Sequence, residues 1–360
     1  MPSIDSGNGA TGDKVRFLRS SEAYPDVPRV TAIETHFAWI FLAGDAAYKL
    51  KKPVRQGSMD YSTLARRRRA CLAELRLNRR LAPSVYLDVL PLRVRPDGRM
   101  ALEARGRVIE WMLKMRRLPS RRMLDRALAA QAVSRADIES VARLLCRFFG
   151  AARRAPLTGT AYLQRLGAQA AHVMRELSMA DLRLDRDLVR QATHAQLAFM
   201  SRERALLARR AVLLRDGHGD LRPEHIFLGS SAQPVCVIDC LEFDPRLRRL
   251  DPLEEMAFFL LECERLGAMA VGARLLRYYQ QMLPDGAPAM LVDFYRSRRA
   301  TVRALIAAWH VRDRRFARQH RRFRAIAHDY LQDALRFARR AVARSSRRRQ
   351  SERRIRRRAS

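Results

Sequence analysis

The sequence predicts an α+β chain: a small β-rich N-terminal lobe followed by a larger, mostly helical C-terminal lobe. Three observations predict it. Residues 30–54 alternate apolar and polar around a turn at Gly44-Asp45. Residues 89–112 repeat that alternation around Pro96-Asp97-Gly98. From about residue 119 onward, apolar residues recur at helical spacing.

Taken in order, residues 1–27 are expected to be a disordered lead-in. Their start is polar, with Ser, Gly and Asp, and lacks the basic start and apolar run of a signal peptide. Residues 28–112 are expected to form the N-terminal lobe. Val30-Thr31-Ala32-Ile33, then Phe37 to Leu42, then Ala47 to Lys51 read as strands, and Pro53 ends the run. A helix starts near Ser62, carries Leu64, Cys71, Leu72 and Leu75 at helical spacing, and stops before Pro83. Val89 to Val94, Met100 to Leu102 and Val108 to Met112 form a second antiparallel set. Residues 113–344 are expected to be the helical lobe, interrupted by a short β-region at about 212–240 and ending in a helix with Ile326, Tyr330, Phe337 and Ala341 on one face. The Arg-rich residues 345–360 are expected to be a disordered, solvated tail.

The 360 residues are 48% hydrophobic, enough for a large core. No 18-residue stretch lacks charge, so no membrane span is expected. The five cysteines have no C-x-x-C spacing, which argues against a disulfide framework or zinc site and fits a reducing, cytoplasmic setting. The net charge of +34 suits a polyanionic partner, and nonspecific nucleic-acid contact by the tail is one reading. The other is a general Arg bias, since the arginines are scattered and no nucleic-acid-binding motif accompanies them. Only five lysines occur, and Lys49, Lys51 and Lys52 lie within four residues. Where Arg is the default cation, a compact ammonium is a chemical choice.

The most informative stretch is His218-Gly219-Asp220-Leu221-Arg222-Pro223-Glu224-His225-Ile226-Phe227-Leu228, followed by Val237-Ile238-Asp239, nineteen residues after Asp220. Asp220 sits in a tight polar loop, with Gly219 allowing the turn, and Asp239 ends an apolar strand. Phosphoryl transfer uses such a pair: one carboxylate orients the attacking hydroxyl and the other holds Mg2+. A cleft between two lobes is the expected place for the nucleotide.

These residues, together with Ala47 to Val54, Arg67 to Pro83, Val237 to Asp244, Asp251-Pro252 and Glu255 to Phe258, resemble the aminoglycoside phosphotransferase family of the protein-kinase-like fold. The resemblance covers about residues 28–330 and is nearest to an uncharacterised bacterial branch, sometimes fused to a P-loop kinase domain. No G-x-x-x-x-G-K-[ST] occurs in this chain. The resemblance implies ATP and Mg2+ (or Mn2+) as cofactors and a small-molecule hydroxyl as acceptor. It makes Asp220 the catalytic or hydroxyl-orienting residue, with His218 beside it in the catalytic loop, and Asp239 the metal ligand. It makes Lys51 or Lys49 the phosphate-binding lysine, with Lys51 favoured, and Glu74 its helix partner. By position alone, the backbone near Glu110 and Met112 would be the hinge that contacts adenine.

Two departures stand out. His225 occupies the place of an expected second metal-binding Asn, with Asp244 nearby as a compensating acid. Glu34-Thr35-His36 stands where a glycine-rich phosphate loop is expected. The reading is an ATP-dependent phosphotransferase. The alternatives are a catalytically weakened nucleotide-binding pseudokinase or scaffold, and a basic nucleic-acid-associated protein.

Overall fold

The computed structural model describes residues 8–102, 105–283 and 286–359. The chain divides into two compact units. One comprises the residues up to Val133 together with Glu224–Leu247; the other comprises Ser134–Pro223 and the residues from Arg248 onward. The division departs from the expected boundary at 112/113. It falls inside the motif stretch, so Asp220 belongs to the second unit and His225 and Asp239 to the first.

The first unit is built on a six-stranded antiparallel sheet. Its strands are β1 (Val30–Glu34), β2 (Ala38–Ala43), β3 (Ala46–Lys51), β6 (Tyr86–Val94), β7 (Met100–Leu102) and β8 (Arg107–Arg116), in the order β1-β2-β3-β8-β6-β7. A small hairpin, β4 (Arg55–Gln56) with β5 (Met59–Asp60), follows β3. The β2–β3 turn is the expected Gly44-Asp45. Ala43 pairs with Ala46, and Gly44 takes a φ of +56° that residues with a Cβ seldom adopt. Helix α2 (Leu64–Asn78) is capped by the Thr63 hydroxyl, which accepts from the Arg66 backbone N–H.

The lead-in is not a disordered segment throughout. Residues Asn8–Arg19 form helix α1. Its Leu18 is fully buried, and with Val15, Ala23 and Tyr24 it packs into a core shared with Phe41, Leu50, Leu92 and Met112. Lys14 also reaches inward, donating to the Ile109 carbonyl at 2.9 Å and to Glu110 Oε2 at 3.0 Å. The polar composition hid a short apolar pair, Val15 and Leu18, three residues apart on one helix face. Leu18→Ala should therefore destabilise the protein by about 2–5 kcal/mol, read as a lowered urea midpoint; an unchanged midpoint would return residues 8–19 to a solvated lead-in.

The second unit is helical. Its core joins the helices Gly159–Leu177, Arg186–Arg202, Pro252–Arg265, Ala289–Arg312 and His320–Ala359. Asp251 caps the third of these through the Leu253 backbone N–H, and takes the Arg210 guanidinium at 2.6 and 2.8 Å and the Tyr295 hydroxyl at 2.8 Å. Arginines that raise the net charge thus also serve internal ion pairs, Arg67–Glu110 and Arg248–Asp216 among them.

The expected disordered tail is also corrected. The last helix runs unbroken from His320 to Ala359, 40 residues or roughly 60 Å. Leu331, Ala334, Phe337, Ala338 and Ala341 bury one face. Ser345 continues that face, fully buried, with its hydroxyl donating to Glu203 Oε1 at 2.5 Å. Arg is a good helix former, and neither Gly nor Pro interrupts residues 320–359. Among the described residues, no helix is long and apolar enough to cross a membrane.

Candidate active site

In the first unit, β3 places Lys49 and Lys51 on one face of the sheet, because strand side chains alternate with period two. Glu74, fully buried on α2, lies against both. Its Oε1 accepts from Lys49 Nζ at 2.8 Å and its Oε2 from Lys51 Nζ at 2.5 Å. Each lysine has a second carboxylate. Lys49 donates to Asp239 Oδ1 at 2.7 Å, and Lys51 donates to Glu242 Oε1. The Tyr61 hydroxyl donates to the same Glu242 oxygen at 2.5 Å.

Asp239 is aimed by its backbone. It follows the short hairpin of Ile226–Phe227 with Cys236–Val237 and takes a left-handed φ of +64°. Its backbone N–H donates to the Tyr86 hydroxyl at 3.0 Å. The next N–H, of Cys240, donates to Asn78 Oδ1 at 2.8 Å, and Asn78 in turn donates to the Glu74 carbonyl at 2.9 Å. The helix that carries Glu74 thus also fixes the turn that carries Asp239. His225 Nε2 lies 3.7 Å from Asp239 Oδ2. The Asp239 side chain is 46% exposed, against 17% for Lys49 and 3% for Lys51.

The electrostatics follow from this chain of alternating charges. Burial works against the Asp239 carboxylate, but Lys49 and His225 outweigh it and hold the group well below the usual carboxylate range. Burial likewise opposes the Glu242 charge, and Lys51 and Lys49 outweigh it. Both ammoniums, despite burial, are held above the ordinary lysine value, Lys49 first by Asp239 and Lys51 first by Glu242. The thiols offer no competing nucleophile: all five cysteines are buried, and burial pushes Cys71 and Cys236 up to about 12.

In the second unit, the His218-Gly219-Asp220 loop rests on Glu255. This carboxylate accepts the His218 backbone N–H at 2.8 Å and that of Gly219 at 3.3 Å. Gly219 has a φ of +88°, and the Arg299 guanidinium donates to its carbonyl oxygen. His218 is fully buried, and its Nδ1 lies 3.2 Å from the Asp220 N–H. Around the Asp220 carboxylate, Arg222 stands at 3.9 Å. The half-buried Arg303 is also held charged: burial opposes its charge, and Asp220, Glu262 and Tyr330 outweigh burial. Gly217 has no room for a side chain, since a Cβ would lie 1.8 Å from Glu255 Oε1. Gly217→Ala should displace Glu255 and the loop above it. If Asp220 is catalytic, turnover should fall about 100-fold with a small change in melting temperature; full turnover would mean that the loop position does not matter.

Lys49, Lys51, Glu74 and Asp239 are thus brought together, with His225 at the edge. Glu110 and Met112 are not part of this group. Met112 sits inside β8, its residue paired with Leu50 on one side and Leu90 on the other, so sheet neighbours flank its backbone. Glu110 takes Arg67 through both carboxylate oxygens, at 2.8 and 2.9 Å. The strand runs on to Arg116. Sequence reasoning missed Glu242 and Glu255 as partners. Both lay in matched blocks, but their roles depend on contacts with Lys51 and with backbone amides distant in sequence.

No family model matches the chain. Uncharacterised proteins of Mycobacterium tuberculosis and Mycobacterium bovis are 35% identical over 293 residues, which is 79% of this chain and 56% of theirs. The chain therefore spans about half the length of the curated relatives it matches. Among solved structures, a choline kinase from Cryptosporidium parvum superposes with a TM-score of 0.55 at 11% identity, covering 93% of this chain and 97% of that one. A choline/ethanolamine kinase family protein from Mesorhizobium loti gives 0.52 at 14%, covering 92% and 99%. A thermostable mutant of an aminoglycoside phosphotransferase gives 0.52 at 14%, covering 89% and 98%. The fold class is therefore kinase-like. More particularly, the chain has the fold shared by aminoglycoside phosphotransferases and choline kinases, in agreement with the resemblance read from its motifs.

Proposed function

We propose that this chain is an ATP-dependent phosphotransferase that moves the γ-phosphate to a hydroxyl of a small molecule. The observation that carries the reading is Lys49, whose ammonium joins Glu74 to Asp239. Such a group aims a cation at phosphates beside a carboxylate suited to a metal ion. Lys49, rather than the favoured Lys51, is assigned to the phosphates. It is the more exposed of the two and contacts the half-exposed Asp239, whereas Lys51 is enclosed by Glu242 and Tyr61.

The residues fit a divalent ion. Asp239 is a half-exposed carboxylate kept ionised, and the His225 imidazole is 3.7 Å from it. Among the described residues no cluster of three or more His, Cys, Asp or Glu is poised as a metal site. One carboxylate suffices for Mg2+, which takes its remaining ligands from water and phosphate oxygens, and His225 in its neutral form would add a nitrogen ligand. When bound, the ion supplies charge neutralisation at the phosphates. Asp220 orients the acceptor hydroxyl and accepts its proton at the carboxylate, while His218 holds the Asp220 amide. Neighbours named as choline kinase and aminoglycoside phosphotransferase lend support at the level of fold.

Titrating the protein with Mn2+ and ATP, followed by electron paramagnetic resonance, tests this reading. Wild type should bind Mn·ATP, and Asp239→Asn should weaken binding at least about tenfold. Equal binding by the two would remove Asp239 from the site. Tight binding without acceptor-dependent turnover would favour the pseudokinase alternative.

A further inference from the structure

We infer that Glu242 is a positioning residue that decides which of the two strand lysines serves the nucleotide. The inference rests on the phosphotransferase reading and extends it to a part of the network that the reading does not use. Two ammoniums lie two residues apart on β3 and share one buried carboxylate, with one Glu74 oxygen each. A buried ammonium is stable only with a well-placed opposite charge, so two lysines on one carboxylate compete for it.

Glu242 ends that competition. It takes Lys51, is itself held by the Tyr61 hydroxyl, and is only 8% exposed. The Tyr61 ring lies 4.8 Å from the Lys51 ammonium and closes this end of the network. Lys51, at 3% exposure, is saturated and enclosed. Glu74 Oε1 is thereby left to Lys49, which at 17% exposure also reaches the half-exposed Asp239. Without the Glu242 charge, Lys51 would have Glu74 as its carboxylate partner. Glu74 would be drawn toward Lys51, and Lys49 would lean on Asp239, the carboxylate meant for the metal.

A mutant cycle tests this. Glu242→Gln should weaken Mn·ATP binding about tenfold. Adding Lys51→Met should recover most of that loss, because the competing ammonium is gone and an uncharged pair replaces an ion pair. If the double variant binds as weakly as Glu242→Gln or more so, the inference is overturned. Should Glu242→Gln fail to fold, Lys51→Met is compared with Lys51→Met/Glu242→Gln. The second change should then cost less than about threefold, and a further tenfold loss would overturn the inference.

A second readout needs no nucleotide. With only five lysines in the chain, the Nζ resonances of ¹⁵N-lysine-labelled protein are assignable by substitution. The Lys49 signal should shift in Glu242→Gln and return in the double variant. Failure of wild type to bind Mn·ATP would sink the phosphotransferase reading, while the Lys49 signal would still decide the role of Glu242.

Discussion

Asp220→Asn should lower phosphoryl transfer by about 10²–10⁴-fold while leaving the affinity for Mg·ATP within about twofold of wild type. The amide has the shape of the carboxylate and keeps the backbone N–H that faces His218 Nδ1. It cannot accept the hydroxyl proton, and it removes the charge that Arg222 and Arg303 face. The proposed nucleotide-binding residues, Lys49, Glu74 and Asp239, contact one another and do not depend on Asp220. Single-turnover ADP formation and a nucleotide titration on the same sample separate the two effects. Equal losses in both would mean that Asp220 supports the fold rather than the chemistry.

Glu74→Ala should be the most damaging change to stability, at about 3–5 kcal/mol. It strips one carboxylate from two buried ammoniums at once, leaving Lys49 with Asp239 and Lys51 with Glu242. The pH dependence has a defined sign. Asp239 and Glu242 titrate below their ordinary values of 3.8 and 4.5, so their contribution is complete above those values and is lost as pH falls through the lower, folded ones. Lys49 and Lys51 titrate above 10.5, so theirs is complete below that value and is lost only as pH rises through the higher, folded ones. Urea midpoints should therefore be flat from about pH 5 to 8, fall on acidification, and fall again above the ordinary thiol value of 9.0, where the buried Cys71 and Cys236 stay protonated only in the folded chain. Glu74→Ala should lower the whole plateau. An unchanged plateau would mean that the two lysines do not need Glu74.

Much of this arrangement was legible in the sequence, for identifiable reasons. Alternation with a Gly-Asp turn predicts the β2–β3 hairpin, and Leu64, Cys71, Leu72 and Leu75 at helical spacing predict α2. The scarcity of lysine pointed to residues 49–52, and the spacing of Asp220 and Asp239 marked both acids. Other features depend on tertiary contacts that no local pattern carries. A strand with period two presents Lys49 and Lys51 equally, and only Glu242 and Tyr61, brought in from elsewhere, distinguish them. The support of the His218 loop by Glu255 crosses 37 residues. The end of β8 was misplaced because Val108 to Met112 looks complete as a strand, whereas pairing with β3 and β6 carries it to Arg116. Helix α1 and the last part of the final helix, from residue 345, read as disordered from their polarity; in α1 a narrow apolar face outweighs it, and the final helix continues through good helix formers.

The most direct measurement is ADP release from Mg·ATP by the purified full chain, across a panel of hydroxyl-bearing small molecules, with Asp220→Asn in parallel. The account predicts release that rises with at least one acceptor, yields a phosphorylated product of that acceptor, and is lost in Asp220→Asn. Release that no acceptor raises and that Asp220→Asn retains in full would contradict it.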